Sequence, residues 1–364
     1  LSGQSLNFLY GQRHQLSLSW PPFKSKLIYS AIFANLAWIN YNDGVLLRGL
    51  FLRVVGSVIA LLSFQVKAGG AEAPSDPKLQ IFDERFEPVN VHDCQVFVRT
   101  IAATDSRVES KKSSAPPAKV IAINGIPASS WIYRDFAIRL SKLGRRVDLV
   151  DLPGTGQSTL APPTKWPRQS DCIKKFLQQE KAPYILALHD IAGPMVLPLL
   201  SSLPNVSGLM VMNTILKTSS FKPIAPMSTL KHRFLGDIAT LFMGRSKLHK
   251  EIKKIGLSKE VDDFWLDQIF NDLRKGGAVR RLSSILRSFE GSKSLDSQIA
   301  LNVSQFMGPK VAVWGLADPA LGGLSFYAKG LFGESNYVEI PEAKHFLMMD
   351  HPEELSKVFT QYFH

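Results

Sequence analysis

The chain has 364 residues, of which 45% are hydrophobic and 20% charged, with a formal net charge of +12. That balance is too apolar for a disordered chain and suits one large domain with an insertion, or two modest ones. Excess Lys and Arg attracts polyanions in general, but here it is spread as short pairs such as Lys111-Lys112 and Lys253-Lys254; without zinc spacing or an RNA-binding aromatic motif, no nucleic-acid partner is expected.

In chain order, the first stretch stands apart. No methionine precedes Met195, and residues 1–44 hold no acidic residue until Asp43. Val45-Leu-Leu-Arg-Gly-Leu-Phe-Leu-Arg then leads into the apolar run from Val54 to Phe64, followed by Ala71-Glu72-Ala73. A basic start, a short apolar run and a small-x-small site describe a secretory signal peptide. We expect residues 45–73 to be a signal peptide or membrane anchor, and 1–44 to be upstream read-through or a targeting segment. A secreted or periplasmic location follows, with membrane-anchored or organellar placement as the alternative; a membrane is a partner only if the apolar segment is retained.

After Pro74, strands alternate with helices. Val89–Thr100 reads as a sheet-edge strand, Val120–Ile123 as a buried parallel strand, Trp131–Leu143 as a helix and Val147–Val150 as the next strand. Trp131, Phe136, Ile138, Leu140 and Leu143 are spaced to face the sheet. Tyr184–Leu188, Val206–Met212 and Lys310–Trp314 are further short apolar strands. The alternation lapses from about Thr214 to Ser304, where amphipathic helices are predicted at Met227–Met243, Lys247–Ile255, Lys259–Leu273 and Ala278–Phe289. A last helix spans Pro352–Phe363, with Asp350 and Glu353 spaced as its cap. The expected fold class is α/β: a mostly parallel central sheet with helices on both faces. Residues 74–213 and 304–364 form the core and 214–303 a helical cap inserted over the carboxyl ends of the strands. Cys94 and Cys172 are too few for a disulfide framework, and the sequence leaves open whether they pair.

Three segments carry chemistry. Tyr184-Ile-Leu-Ala-Leu-His-Asp-Ile-Ala-Gly193 runs an apolar strand into His189-Asp190 and then into the small residues Ala192 and Gly193. A sharp strand-to-helix turn needs such neighbours, and it lifts the side chain at its tip above the sheet among unpaired N–H groups that favour a carboxylate. A plain helix cap is the alternative reading of Asp190. Val311-Ala-Val-Trp-Gly-Leu-Ala-Asp318 and Tyr337-Val-Glu-Ile-Pro-Glu-Ala-Lys-His345 are strands that end in a loop acid and a loop histidine. Nucleophile, acid, histidine is the chain order of an α/β-hydrolase triad, so Asp190, Asp318 and His345 are the candidate catalytic residues.

Asn124-Gly125-Ile126-Pro127 resembles the His-Gly-x-Pro turn of haloalkane dehalogenases and epoxide hydrolases. Asp151-Leu-Pro-Gly-Thr-Gly-Gln-Ser158 is similar to the Asp-x-x-Gly-x-Gly-x-Ser segment of the same superfamily. Gly315–Gly322 and Met212-Asn213-Thr214 look closest to the dehalogenases. The resemblance implies an α/β-hydrolase fold, with Asp190 forming an alkyl ester, His345 activating water, and Asp318 orienting the imidazole. It also places the backbone N–H groups of Ile126 and Ile191 in the oxyanion hole. The sequence departs from that family in four places: Ile191 stands where Trp is common, Ile126 where Asn is, Asn124 where His is, and Lys344 where Gly is. The cap, residues 200–300, has no tyrosine to protonate an epoxide, leaving His232 or His249 as substitutes. Asn124 and Trp265 are candidate substrate or leaving-group contacts. The expected activity is hydrolysis of a small, mostly apolar substrate, most like a haloalkane dehalogenase. Epoxide hydrolysis and a catalytically idle binding protein are the alternatives. No cofactor or metal is expected, and the chain is expected to be a monomer or weak dimer whose partner is a small-molecule substrate.

Overall fold

The computed structural model describes residues 76–104, 117–225, 227–232, 236, 244–275 and 278–363; the segments expected to be a read-through or targeting stretch and a signal peptide lie outside them. Eight strands form one sheet in the order β1-β2-β4-β3-β5-β6-β7-β8. They are β1 (Asp83–Val89), β2 (Cys94–Ile101), β3 (Lys119–Ile123), β4 (Val147–Val150), β5 (Tyr184–Asp190), β6 (Val206–Thr214), β7 (Lys310–Gly315) and β8 (Tyr337–Ile340). From β4 to β8 every pairing is parallel, while β1 and β2 run antiparallel at one edge. The expected single strand over Val89–Thr100 is instead the turn and second strand of a hairpin. His92 and Asp93 take positive φ there, at 56° and 48°, and so reverse the chain.

Parallel strands covered on both faces are apolar throughout rather than alternating. In β5 all seven residues are buried; Leu186 and Leu188 join one apolar cluster, Ile185 and Ala187 the other. The covering helices are α1 (Arg134–Lys142), α2 (Trp166–Gln179), α3 (Ala192–Val196), α8 (Ser325–Phe332) and α9 (Pro352–Tyr362). Trp131, Phe136 and Leu140 face the core as predicted, but Leu143 is 45% exposed because the helix has already ended before it. Helix α2 escaped the sequence reading because its buried stripe includes Gln169 and Cys172, which do not register as apolar. Cys172 is disulfide-bonded to Cys94 on β2, at a Cα–Cα distance of 6.3 Å.

Between β6 and β7 lie α4 (Arg245–Glu251), a wider π turn (Ile252–Gly256), α5 (Asp263–Arg274), α6 (Ala278–Ser288) and α7 (Lys293–Gln305). Of the helix expected over Met227–Met243, the described part is a single turn, Met227–Leu230. Asp262 caps α5 by accepting the Phe264 N–H at 2.9 Å, and Ser292 caps α7 through the Leu295 N–H at 3.1 Å. Asp350 does not cap the last helix. Its Oδ2 accepts the backbone N–H groups of Ser258 at 2.6 Å and Lys259 at 3.1 Å, pinning the loop ahead of α5 to the core. No described helix is long and apolar enough to cross a membrane.

The interior also holds a buried ionic knot. Arg99 on β2, fully buried, donates to Ser130 Oγ at 2.8 Å, to Asp151 at 3.3 Å, to Glu84 at 2.9 Å and to Asp272 of α5 at 2.7 Å. Its guanidinium stacks on the Trp131 ring at 4.3 Å. Burial raises the Asp272 carboxyl to about 6 despite the Arg99 charge, with help from the like charge of Asp151.

Candidate active site

Asp190 ends β5 with φ of 51°, a left-handed conformation that a non-glycine residue adopts only when its surroundings enforce it. The enforcement comes from β6. Its Thr214 hydroxyl donates to the Asp190 carbonyl at 2.5 Å, and the Ile215 N–H reaches the same oxygen at 3.2 Å. Gly193 lets α3 close onto that strand, since a Cβ there would lie 1.8 Å from Thr214 Oγ1. The turn aims the carboxylate at the β3 exit, where the Ile126 N–H donates to Oδ2 at 2.9 Å. The Ile191 N–H also donates to the carboxylate. Gly125 makes this approach possible: a Cβ there would sit 2.3 Å from the Asp190 Cβ.

The other two residues come from β7 and β8. His345 Nδ1 lies 2.8 Å from Asp318 Oδ2, and both side chains are almost fully buried. Asp318 is held by the Ala320 N–H on Oδ1 at 2.8 Å and by the Asn213 amide on Oδ2 at 2.7 Å. Asn213 in turn accepts the Gly315 N–H at 2.7 Å, locking the ends of β6 and β7 together. With the Nδ1 proton directed at Asp318, the other ring nitrogen of His345 is left as a base. The His345 carbonyl lies 2.9 Å from His189 Nε2, so His189 props the loop that carries the imidazole. Burial and the neighbouring His345 push the His189 pKa well down, which keeps its ring neutral.

The electrostatics follow from burial set against partners. Burial raises the Asp190 pKa, and the His345 charge and the two N–H donors only partly offset it. The N–H groups favour the ionised form, as the sequence reading expected, but removing water from the carboxylate outweighs them in the net shift. For Asp318 burial also pushes upward, but His345, Ala320 and Asn213 together bring its pKa below the usual value. Burial pushes His345 down, yet the adjacent Asp318 charge and hydrogen bond raise it overall, with a further contribution from Asp190.

Asp190, His345, Ile126 and Ile191 line one cavity, closed over by the segment between β6 and β7. That segment contributes residues such as Leu248, Ile252, Ile255, Leu286 and Phe289 to the lining of the cavity. No tryptophan, amide or hydroxyl side chain is among the described residues lining it. Asn124 is buried elsewhere. Its amide donates to the carbonyls of Gly125 at 2.7 Å and Ala128 at 2.9 Å, and its Oδ1 accepts the Leu152 N–H at 2.9 Å. Asn124 thus braces the turn behind the site and is not among the residues lining the cavity. Trp265 packs against Trp131 and Phe264, with Arg134 over its face at 3.9 Å, and is not part of the cavity wall. His249 stands 3.0 Å from Asp267, outside the cavity. Sequence reasoning gave Asn213 no role; its place at the exit of β6, in a segment already singled out, was the available signal.

The alpha/beta hydrolase family model matches residues 120–358. No curated protein matches the chain. Among solved structures, Cfl2 from Burkholderia cenocepacia has a TM-score of 0.62 at 18% identity, covering 79% of this chain and 98% of its own. The haloalkane dehalogenase DatA from Agrobacterium tumefaciens scores 0.61 at 15% identity, covering 76% and 95%. The Cif epoxide hydrolase from Acinetobacter nosocomialis scores 0.61 at 13% identity, covering 82% and 100%. At such identities the likeness is one of fold.

Proposed function

The chain belongs to the alpha/beta hydrolase family, and from that premise we propose that it hydrolyses small, mostly apolar alkyl electrophiles through an ester on Asp190, in the manner of a haloalkane dehalogenase. The observation that carries this reading is the residue at the strand-to-helix turn. It is a carboxylate with its oxygen on the Ile126 N–H, in one cavity with a histidine that is paired to a second acid. A serine there would need deprotonation before attack, whereas a carboxylate attacks saturated carbon directly.

In the first step an Asp190 oxygen displaces a halide from carbon: the C–O bond forms, the C–halogen bond breaks, and the halide leaves with its electron pair. In the second step His345 takes a proton from water as the hydroxide oxygen attacks the ester carbonyl of Asp190, and Asp318 stabilises the imidazolium. The Ile126 and Ile191 N–H groups hold the charge on the tetrahedral oxygen, each contributing about 3 kcal/mol. The collapse releases the alcohol, with Asp190 regenerated and the proton lost to solvent. A halide leaves without being protonated, which suits a cavity with no phenol among its described lining residues. The Tyr133 hydroxyl is spent on the Ile123 carbonyl at 3.0 Å, so epoxide opening lacks that donor.

The test is a His345→Gln variant incubated with 1-bromohexane. The expected result is a hexyl adduct on the peptide containing Asp190, found by mass spectrometry and absent when Asp190→Asn is added. No adduct, or one on another residue, overturns the reading and leaves the cavity to ligand binding. The Cys94–Cys172 disulfide supports the further proposal of a secreted or otherwise oxidising location.

A further inference from the structure

Glu251 interrupts the apolar wall of the cavity. Leu248 and Ile255 stand three and four residues from it, on its side of the helical segment, and with Ile252 all four line the cavity. The basic residues of the same segment, Lys250, Lys253 and Lys254, line a separate groove. Arg245 is paired with Asp267, and Lys253 with Asp263 at 2.6 Å. The Glu251 carboxyl has no hydrogen-bond or ion-pair partner among the described residues, although lysines stand on both sides of it in sequence. Glu251 is partly exposed, and a carboxylate with no fixed partner is open to a donor that enters the cavity.

Among the described residues, the cavity lining holds no lysine or arginine. Two carboxyl groups and one imidazole are the polar side chains among the described lining residues, and low-dielectric walls focus their field on whatever enters. We propose that Glu251 is a specificity-determining residue that receives a protonated amine at the end of the substrate remote from the carbon attacked by Asp190. The substrate class is thus an alkyl electrophile with an apolar body and an ammonium tail. Charge-assisted hydrogen bonding favours the amine over a hydroxyl, and like-charge repulsion rejects a carboxylate tail. The inference builds on the Asp190 ester reading and specifies what that cavity accepts.

Two measurements on the full chain test it. In the His345→Gln background, 6-bromohexylamine and its isostere 1-bromoheptane are compared by the concentration at which labelling of Asp190 half-saturates. The amine should half-saturate at about tenfold lower concentration, equivalent to about 1.4 kcal/mol, and 6-bromohexanoate should label least. Adding Glu251→Gln should bring the amine-to-bromoheptane ratio to within twofold. Equal saturation of the two probes, or a preference that survives Glu251→Gln, overturns the proposal. The second measurement needs no chemistry: calorimetric affinities for heptylamine and heptan-1-ol should differ about tenfold in the native chain and converge in Glu251→Gln. If no probe labels Asp190 but this binding preference holds, the ester reading fails and the role of Glu251 stands; equal affinities for the two ligands sink that role alone.

Discussion

The Arg99 knot gives the sharpest test of how this fold is held together. Replacing Arg99 with Met keeps much of the volume and the stacking on Trp131, but it leaves the Asp151 and Asp272 carboxylates without the cation they face at 3.3 and 2.7 Å. Breaking one side of a buried ion pair costs about 3–5 kcal/mol, because the remaining charge stays desolvated. The loss should depend on pH, and the sign follows from Asp272. Its pKa in the fold is already raised to about 6, so its protonated form is the better tolerated one. Such a group stabilises the fold fully below its unfolded value, and that stability is lost as pH rises through the folded value. Removing Arg99 raises the folded value further. The penalty should therefore be near its full size at pH 8 and clearly smaller at pH 5, where Asp272 takes a proton. Asp151 limits the relief, since the Ser130 and Gln157 N–H groups at 2.7 and 2.8 Å keep it satisfied as an anion. Urea unfolding of both chains at the two pH values measures this, and adding Asp272→Leu to the variant should recover a good part of the loss at pH 8. A penalty below about 1 kcal/mol at pH 8, or one equal at both pH values, would refute the reasoning, since an exposed or uncoupled pair behaves that way.

The Gly125→Ala variant should fold but lose about 100-fold or more in formation of the Asp190 ester, as a Cβ 2.3 Å from that of Asp190 forces the carboxylate off its N–H donor; labelling within threefold of the parent contradicts this. Hydrolysis of the ester should fall as pH drops through a value above 6.5, because the raised pKa of His345 keeps the imidazole protonated and unable to act as base. Ester formation in His345→Gln should instead fail as pH drops through a value above the usual carboxylate range, set by protonation of Asp190, and stopped-flow and quench measurements follow the two steps separately. Asn213→Ala should move the acid limb of hydrolysis, by releasing the Asp318 oxygen that accepts its amide at 2.7 Å, and a limb left in place would show that Asn213 is only a strand tie. Reduction of Cys94–Cys172, which closes a loop 78 residues long in sequence, should lower stability by about 4 kcal/mol; calorimetry with and without reductant reads this.

The sequence by itself determined the order of strands and the three residues at their carboxyl ends. Short apolar runs bounded by turn residues are imposed by burial on both faces of a parallel sheet. Asp190 ends its strand, and Asp318 and His345 follow theirs by three and five residues, so their placement at the carboxyl ends of the strands is set locally. Contacts between distant segments were not legible. Asn124 was read as a candidate substrate contact, yet its amide is consumed by Gly125, Ala128 and Leu152. Trp265 was another, and it is buried against Trp131 from a segment more than a hundred residues earlier. Asp350, read as a local helix cap, bonds residues 258 and 259 instead. The pairing of Cys94 with Cys172, the knot around Arg99 and the place of Glu251 in the cavity lining are likewise set by how the helices settle on the sheet. A polar side chain takes whichever partner the packing brings within about 3 Å, and chain order does not encode that distance.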